Sequence, residues 1–291
     1  MPIKHLVLSG GGPTAIKYIG TLKQLELNGV WNSENLESIY GTSAGGILGV
    51  VLCCKHKWDT LIDYFVKRPW DDAYQIKPED MFNIYDKKGI VDQTFFNIMF
   101  KPLFDAKNIS MDITLKEFYE WSKIDLHLFS LELNSFKICD ISHKTHPDIP
   151  VLMAVHMTSA IPVLFSPVCI GGKCFVDGGL VNNYPLNYCL KDHPEVDDIL
   201  AFKNIYSNLS SNIDHESNVV DVIVSLCQHV LTHINSPSNA ETIPNQINQP
   251  SAGLSVDYFQ QTLFSESFRQ GLIDEGIKIA KEFTPTPAKI V

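Results

Sequence analysis

The sequence predicts a layered α/β domain, and three observations carry that expectation. Short apolar strands alternate with helices through most of the chain, the first two strands each run directly into a glycine-rich turn and a helix, and a strand pair joined by a tight turn lies near the middle. In order, HLVLS at 5–9 reads as a short buried strand, and TAIKYIGTLKQLELNG at 14–29 as a helix with apolar residues at Ile16, Ile19, Leu22, Leu25 and Leu27. Pro13 suits its first turn and Gly29 its C-cap. LESIY at 36–40 is a second strand, turning at once into the apolar helix SAGGILGVVLCCKH at 43–56. LHLFSLEL at 126–133 and SFKICDIS at 135–142 form a hairpin around Asn134; VLMAVHMTSAI at 151–161 is a helix, and KCFVDGG at 173–179 a strand ending in glycines. DILAFKNI at 198–205 is a further strand, and NVVDVIVSLCQHVLTHI at 218–234 a strongly apolar helix.

Composition narrows the function classes. Of 291 residues, 45% are hydrophobic and 19% charged, enough to bury one large core, so a single domain over 1–291 is expected. Within it, 57–125 reads as an insertion or lid region and 235–253, polar with three prolines, as a loop. A net charge of -10 argues against a nucleic-acid partner and against tight electrostatic adhesion to anionic lipid. MPIKHLVLSGGG has none of the regions of a signal peptide, and no apolar run reaches membrane-spanning length. The seven cysteines, Cys53, Cys54, Cys139, Cys169, Cys174, Cys189 and Cys227, sit mostly in apolar runs, which predicts reduced buried thiols in a cytosol-like compartment. With neither C-x-x-C nor H-E-x-x-H present, no metal or other cofactor is expected.

The stretch LVLSGGGPTAIKYIG admits two uses. As G-x-G-x-x-A, from Gly10 through Gly12 to Ala15, it could cradle a pyrophosphate; as three consecutive glycines, its N–H groups could hold the oxyanion of a hydrolase. A dinucleotide site needs an acid at the end of the second strand to bind ribose hydroxyls. Glu34 before that strand and Glu37 at its start would face its wrong end, whereas its far end carries Gly41-Thr42-Ser43-Ala44-Gly45. G-x-S-x-G at a strand-to-helix junction suits a nucleophile elbow: small Gly41 and Gly45 permit the sharp turn, and the helix N-terminus points at the serine oxygen. The alternative is a plain helix N-cap.

A nucleophilic serine needs a base. None of the ten histidines sits in a glycine-bounded loop: His143 and His146 read as a solvated turn, and His229 and His233 share a helix face. Asp177 ends a short strand and is followed by Gly178 and Gly179, which let the chain turn sharply and bring a carboxylate to another loop. Alone, D-G-G could be only a turn.

Taken together, GGG at 10–12, GTSAG at 41–45, TSAIPVLFSPV at 158–168 and DGGLVNNYP at 177–185 resemble the patatin-like phospholipase family, over about two-thirds of the chain. The resemblance implies a three-layer α/β/α fold with a central mixed sheet, a lipid acyl hydrolase activity, Ser43 as nucleophile, Asp177 as base, and Gly10, Gly11 and Gly12 as oxyanion hole. It implies a glycerophospholipid or other lipid ester as partner, transient contact with a membrane surface and a cytoplasmic, peripheral location. The family's G-G-G-x-[Lys/Arg]-Gly is broken here by Thr14 and Ala15. A catalytically silent lipid- or protein-binding module is the alternative. For membrane contact the candidate is TFFNIMFKPLF at 94–104, where Phe95, Phe96, Ile98, Met99, Phe100, Leu103 and Phe104 look too dense for one helix face to bury, with Lys87, Lys88 and Lys101 nearby. An ordinary core helix is the other reading.

Overall fold

The computed structural model describes residues 2–74, 84–206, 213–234 and 242–285. Its first strand, β1 (His5–Leu8), leads through a tight 3-10 turn at Gly12–Thr14 into α1 (Ala15–Leu27); β2 (Ser38–Thr42) leads directly into α2 (Ala44–Cys53). There follow α3 (Trp58–Lys67), α4 (Trp70–Ala73), α5 (Ile84–Lys87), β3 (Gly89–Val91), α6 (Gln93–Asp105) and α7 (Leu115–Ser122). The hairpin of β4 (Asp125–Glu132) and β5 (Lys137–Ile141) precedes α8 (Val151–Ser159), then β6 (Val163–Phe165), β7 (Val168–Ile170) and β8 (Lys173–Asp177). The chain continues through α9 (Leu186–Asp192), β9 (Ile199–Tyr206), α10 (Val219–Ile234), β10 (Gln246–Ser251), α11 (Val256–Phe264) and α12 (Glu266–Glu282).

One eight-stranded mixed sheet organises these elements in the order β10-β9-β1-β2-β4-β8-β7, with β5 also on β4. The strands from β10 to β4 are parallel, whereas β5, β8 and β7 run antiparallel to their partners. Helices cover both faces, which is why the central strands read as continuous apolar runs. Successive residues serve separate cores: Leu6, Leu8, Ile39, Leu126 and Leu128 pack with α1, α2 and α8, while Val7, Tyr40 and Phe129 pack with Leu186 and Cys189 of α9. The result is the expected α/β/α arrangement. β3 and β6 form a separate two-stranded parallel ribbon.

One expectation is corrected here, and one pair of alternative readings is decided. The segment 235–253 is not a loop throughout: Gln246–Ser251 is the edge strand β10, parallel to β9, and residues 235–241 lie outside the described residues. Its polar composition hid the strand, and Pro250 is tolerated because it sits on an edge. The aromatic run of 94–104 lies on α6, where Phe96, Phe100 and Phe104 are fully buried. Their spacing of four puts them on one helix face, so the density that suggested membrane insertion belongs to the core. Among the described residues no helix is long and apolar enough to cross a membrane.

Candidate active site

Strand register alone brings Ser43 and Asp177 together. On one edge of β4, β2 pairs up to Thr42 opposite Phe129; at the next residue of that edge, Ser130 is paired instead with Asp177 of β8. β5 occupies the other edge at the same two residues, so β8 takes up the edge of β4 that β2 leaves. Ser43, the residue after β2, therefore lies beside the end of β8. Its backbone takes φ 54°, a left-handed conformation unfavourable for a residue with a side chain. The Ser43 N–H donates to Thr158 Oγ1 at 3.0 Å, and that hydroxyl donates to the Phe129 carbonyl at 2.5 Å, tying the elbow to α8 and β4. A side chain at Gly45 would lie 2.1 Å from the Leu8 carbonyl oxygen, so only glycine lets α2 leave the elbow so close to β1.

Asp177 and Ser43 are both buried, at 4% and 6% exposure. The Asp177 carboxylate accepts the Gly179 N–H at 2.7 Å, from the turn that Gly178 and Gly179 make, and Ser43 lies near enough to act on its ionisation. Burial pushes its pKa up to about 7, against the pull of Ser43 and the Gly179 N–H. A carboxylate poised there can accept a proton at neutral pH.

The three glycines do not play equal parts. Gly10 is pressed over Ser43, since a Cβ there would fall 2.7 Å from Ser43 Cβ, and its N–H is already donated to the Asn183 carbonyl at 3.1 Å. The expectation that all three glycines offer free donors is thus corrected: among the described residues the N–H groups of Gly11 and Gly12 have no acceptor, while that of Gly10 does. Gly12 adopts φ +53° beneath the ring of Phe259. In the place of the basic residue, Thr14 is buried and shares a hydrogen bond of 3.0 Å with Ser251 Oγ on β10.

An apolar cavity begins at Ser43 and Gly12 and is walled by Ile16, Ile47, Phe65, Trp70, Phe95 and Phe259, among others. Region 57–125 contributes Phe65, Trp70, Tyr74, Phe95 and Met99 to the wall. Arg269 of α12 lies at the cavity, buried, and its guanidinium donates to the carbonyls of Val66 at 2.9 Å, Arg68 at 3.1 Å, Thr262 at 2.8 Å and Leu263 at 3.0 Å. It joins the carboxyl ends of α3 and α11, whose helix dipoles offset its buried charge.

The sequence-derived histidines lie elsewhere. His143 Nδ1 faces Asp125 at 3.1 Å and His193 stacks on His5 at 3.6 Å, both at the opposite end of the sheet from Ser43; His229 and His233 are exposed on α10. Among the described residues no group of three or more His, Cys, Asp or Glu side chains is placed to hold a metal ion. The cysteines are not all reduced: Cys169 and Cys174 face each other across the β7–β8 hairpin and form a disulfide. The separation of five residues across a Gly171-Gly172 turn creates that pairing, which a count of cysteines does not reveal. Cys53, Cys54, Cys189 and Cys227 are free and buried, and Cys139 is free and half-buried.

Asn204 and Tyr206 around the site lie outside the motifs quoted from sequence, whereas Thr158 and Asn183 fall within them without being given a role. A polar Asn204 inside the apolar strand run ILAFKNIY was the available signal.

A family model described as patatin-like phospholipase matches residues 6–190. A probable lipid hydrolase of Invertebrate iridescent virus 6 is 24% identical over 218 residues, covering 72% of this chain and 73% of its own. A cGAMP-activated phospholipase of Vibrio cholerae is 28% identical over 203 residues, covering 63% of this chain and 55% of its own. Among solved structures, VipD from Legionella pneumophila matches 95% of this chain and 67% of its own with a TM-score of 0.52 at 17% identity, a likeness of fold.

Proposed function

The chain belongs to the patatin-like phospholipase family, and from that membership and the contact of Ser43 with Asp177 we propose that it cleaves carboxylic esters of glycerolipids, as a phospholipase A or lysophospholipase, through a Ser-Asp dyad. The observation that carries this reading is a strained serine placed by strand register beside a buried carboxylate, at the mouth of an apolar cavity.

Each step follows from those positions. The acyl chain enters the cavity by apolar burial, which places its ester carbonyl over Ser43. Asp177 takes the Ser43 proton as Oγ attacks the carbonyl carbon, and the oxyanion is held by the N–H groups of Gly11 and Gly12, with the positive end of α2 beside it. Collapse of the tetrahedral intermediate breaks the ester C–O bond, and the alcohol departs with the proton from Asp177. Water then gives its proton to Asp177 and attacks the acyl-enzyme, releasing the fatty acid and restoring the serine. The lipid meets the protein at a membrane surface in transient contact.

Labelling with a fluorophosphonate followed by peptide mass spectrometry tests the assignment. The expected result is one modified serine, Ser43, with fatty-acid release from a lipid panel lost in Ser43→Ala. Unimpaired release by Ser43→Ala would overturn it.

A further inference from the structure

The Gly10 carbonyl oxygen receives an unusual number of side-chain donors for a loop. Asn183 Nδ2 donates to it at 2.8 Å, Asn204 Nδ2 at 2.5 Å and the Tyr206 hydroxyl at 3.4 Å. These donors are themselves braced: the Tyr18 hydroxyl donates to Asn204 Oδ1 at 2.9 Å, the Asn204 N–H donates to Ser9 Oγ at 3.1 Å, and Asn183 Nδ2 also reaches the Tyr206 hydroxyl at 2.8 Å. Asn183 and Asn204 are buried. A buried polar group needs a partner, but a carbonyl oxygen is satisfied by one or two donors. Three on one atom restrict the direction of that peptide far more than they need for satisfaction.

Peptide planarity turns this into a statement about catalysis. The described chain contains no cis peptide bond, so across the Gly10–Gly11 peptide the C=O and N–H point in opposite directions. A carbonyl pulled into the Asn183, Asn204 and Tyr206 cluster sends the Gly11 N–H away from it. Gly10 sits directly over Ser43, and Gly12, the residue after Gly11, lines the cavity mouth, so the released donor emerges where the oxyanion forms. A glycine pair without a side chain to lock it would otherwise rotate this peptide freely. The geometry points to Asn204, with Asn183 and Tyr206, as positioning residues that aim the Gly11 N–H at the developing oxyanion.

The inference rests on the Ser43–Asp177 reading and is separable from it. Asn204 touches neither dyad residue in the contacts above, so Asn204→Leu removes a donor from Gly10 while leaving Ser43 and Asp177 in place. In the full-length protein, kcat falls by roughly ten- to a hundredfold with KM nearly unchanged, a loss confined to the transition state. Affinity for a long-chain trifluoromethyl ketone, which forms a tetrahedral oxyanion on serine, falls by the same factor; affinity for an uncleavable ether lipid does not change. Tyr206→Phe, which removes the longest of the three contacts, repeats the pattern at roughly two- to fivefold. If Asn204→Leu does not fold, Tyr206→Phe decides by the same two affinities. Unchanged ketone affinity in either folded variant, or an equal loss for ketone and ether, overturns the positioning role. Absence of fluorophosphonate labelling in the unmodified protein overturns the dyad, and the positioning role with it.

Discussion

At the carboxyl end of the parallel strands Asp177 is buried against a hydroxyl and a backbone N–H, neither of them charged. At the amino end Asp125 and Asp140 are drawn up to His127, whose Nδ1 lies 2.8 Å from Asp140 and Nε2 3.2 Å from Asp125, while Lys144 reaches Asp125 at 2.5 Å. Burial raises Asp177 to about 7. Burial also opposes ionisation of Asp125, but His127 and Lys144 overcome it and hold that carboxyl well below its ordinary range; for His127, Asp125 and Asp140 outweigh burial and raise it to about 9. One protein thus buries carboxylates for two purposes. With cations beside them they are locked ions that bind elements together, and without a cation the carboxylate stays ready to exchange a proton.

Exchanging the properties of the two ends is the strongest way to break this contrast. Asp177→Asn keeps shape and hydrogen bonding but cannot accept a proton, so kcat falls by about 10⁴-fold or more. Because the raised pKa of Asp177 means that its ionised form weakens the fold, the same substitution raises the melting temperature at pH 8. Steady-state kinetics and calorimetry on one preparation check both signs; a melting temperature lowered along with kcat would make Asp177 a structural ion like Asp125.

His127→Phe should do the reverse. Two half-buried carboxylates lose the imidazolium between them, Asp125 keeping Lys144, at a cost of about 1.5–3 kcal/mol of stability by denaturant titration, while kcat of the folded fraction is retained. A hundredfold loss of kcat with stability unchanged would place the amino-end cluster in the chemistry.

Gly11→Ala tests the uncharged end through its donors. The added methyl would lie 2.1 Å from Asn204 Nδ2, so the loop must shift and the oxyanion loses a donor. The expected cost is about 2.7–4 kcal/mol of barrier, a rate lower by roughly a hundredfold to a thousandfold, read as kcat with KM little changed.

The smallest effect, and the sharpest, is in pH. If Asp177 is the base proposed above, kcat/KM should fall about tenfold for each unit of pH below about 7. Stability moves the other way. His127 is raised from an ordinary 6.5 to about 9, so its contribution is complete below pH 6.5 and is lost as pH rises through 9. Asp125 is depressed from 3.8, so its contribution is present above that value and is lost as pH falls below it. His143 and Lys144 face the same carboxylate and share in this balance. Rates at low temperature should show the acid limb alone, and rates near the melting point an added alkaline limb from unfolding. An alkaline limb at low temperature as well would require a second catalytic group.

By itself the sequence determined the α/β/α class, most strands and helices, and the four motifs around Ser43 and Asp177. These are local: a strand-to-helix junction needs small residues within a few positions, and a strand buried on both faces is apolar along its length. Only tertiary structure decided what those motifs do to one another. Asp177 is brought to Ser43 because β8 takes the edge of β4 that β2 leaves, a register between residues far apart in the chain. The Gly10 amide is occupied because Asn183 comes back over it, and Cys169 meets Cys174 because β7 and β8 pair across a glycine turn. The Phe96, Phe100 and Phe104 face found its partners in the core, and polar β10 became a strand because β9 had a free edge. In each of these, the deciding contact is made by a partner that the local pattern does not contain, which is why spacing and composition pointed the other way.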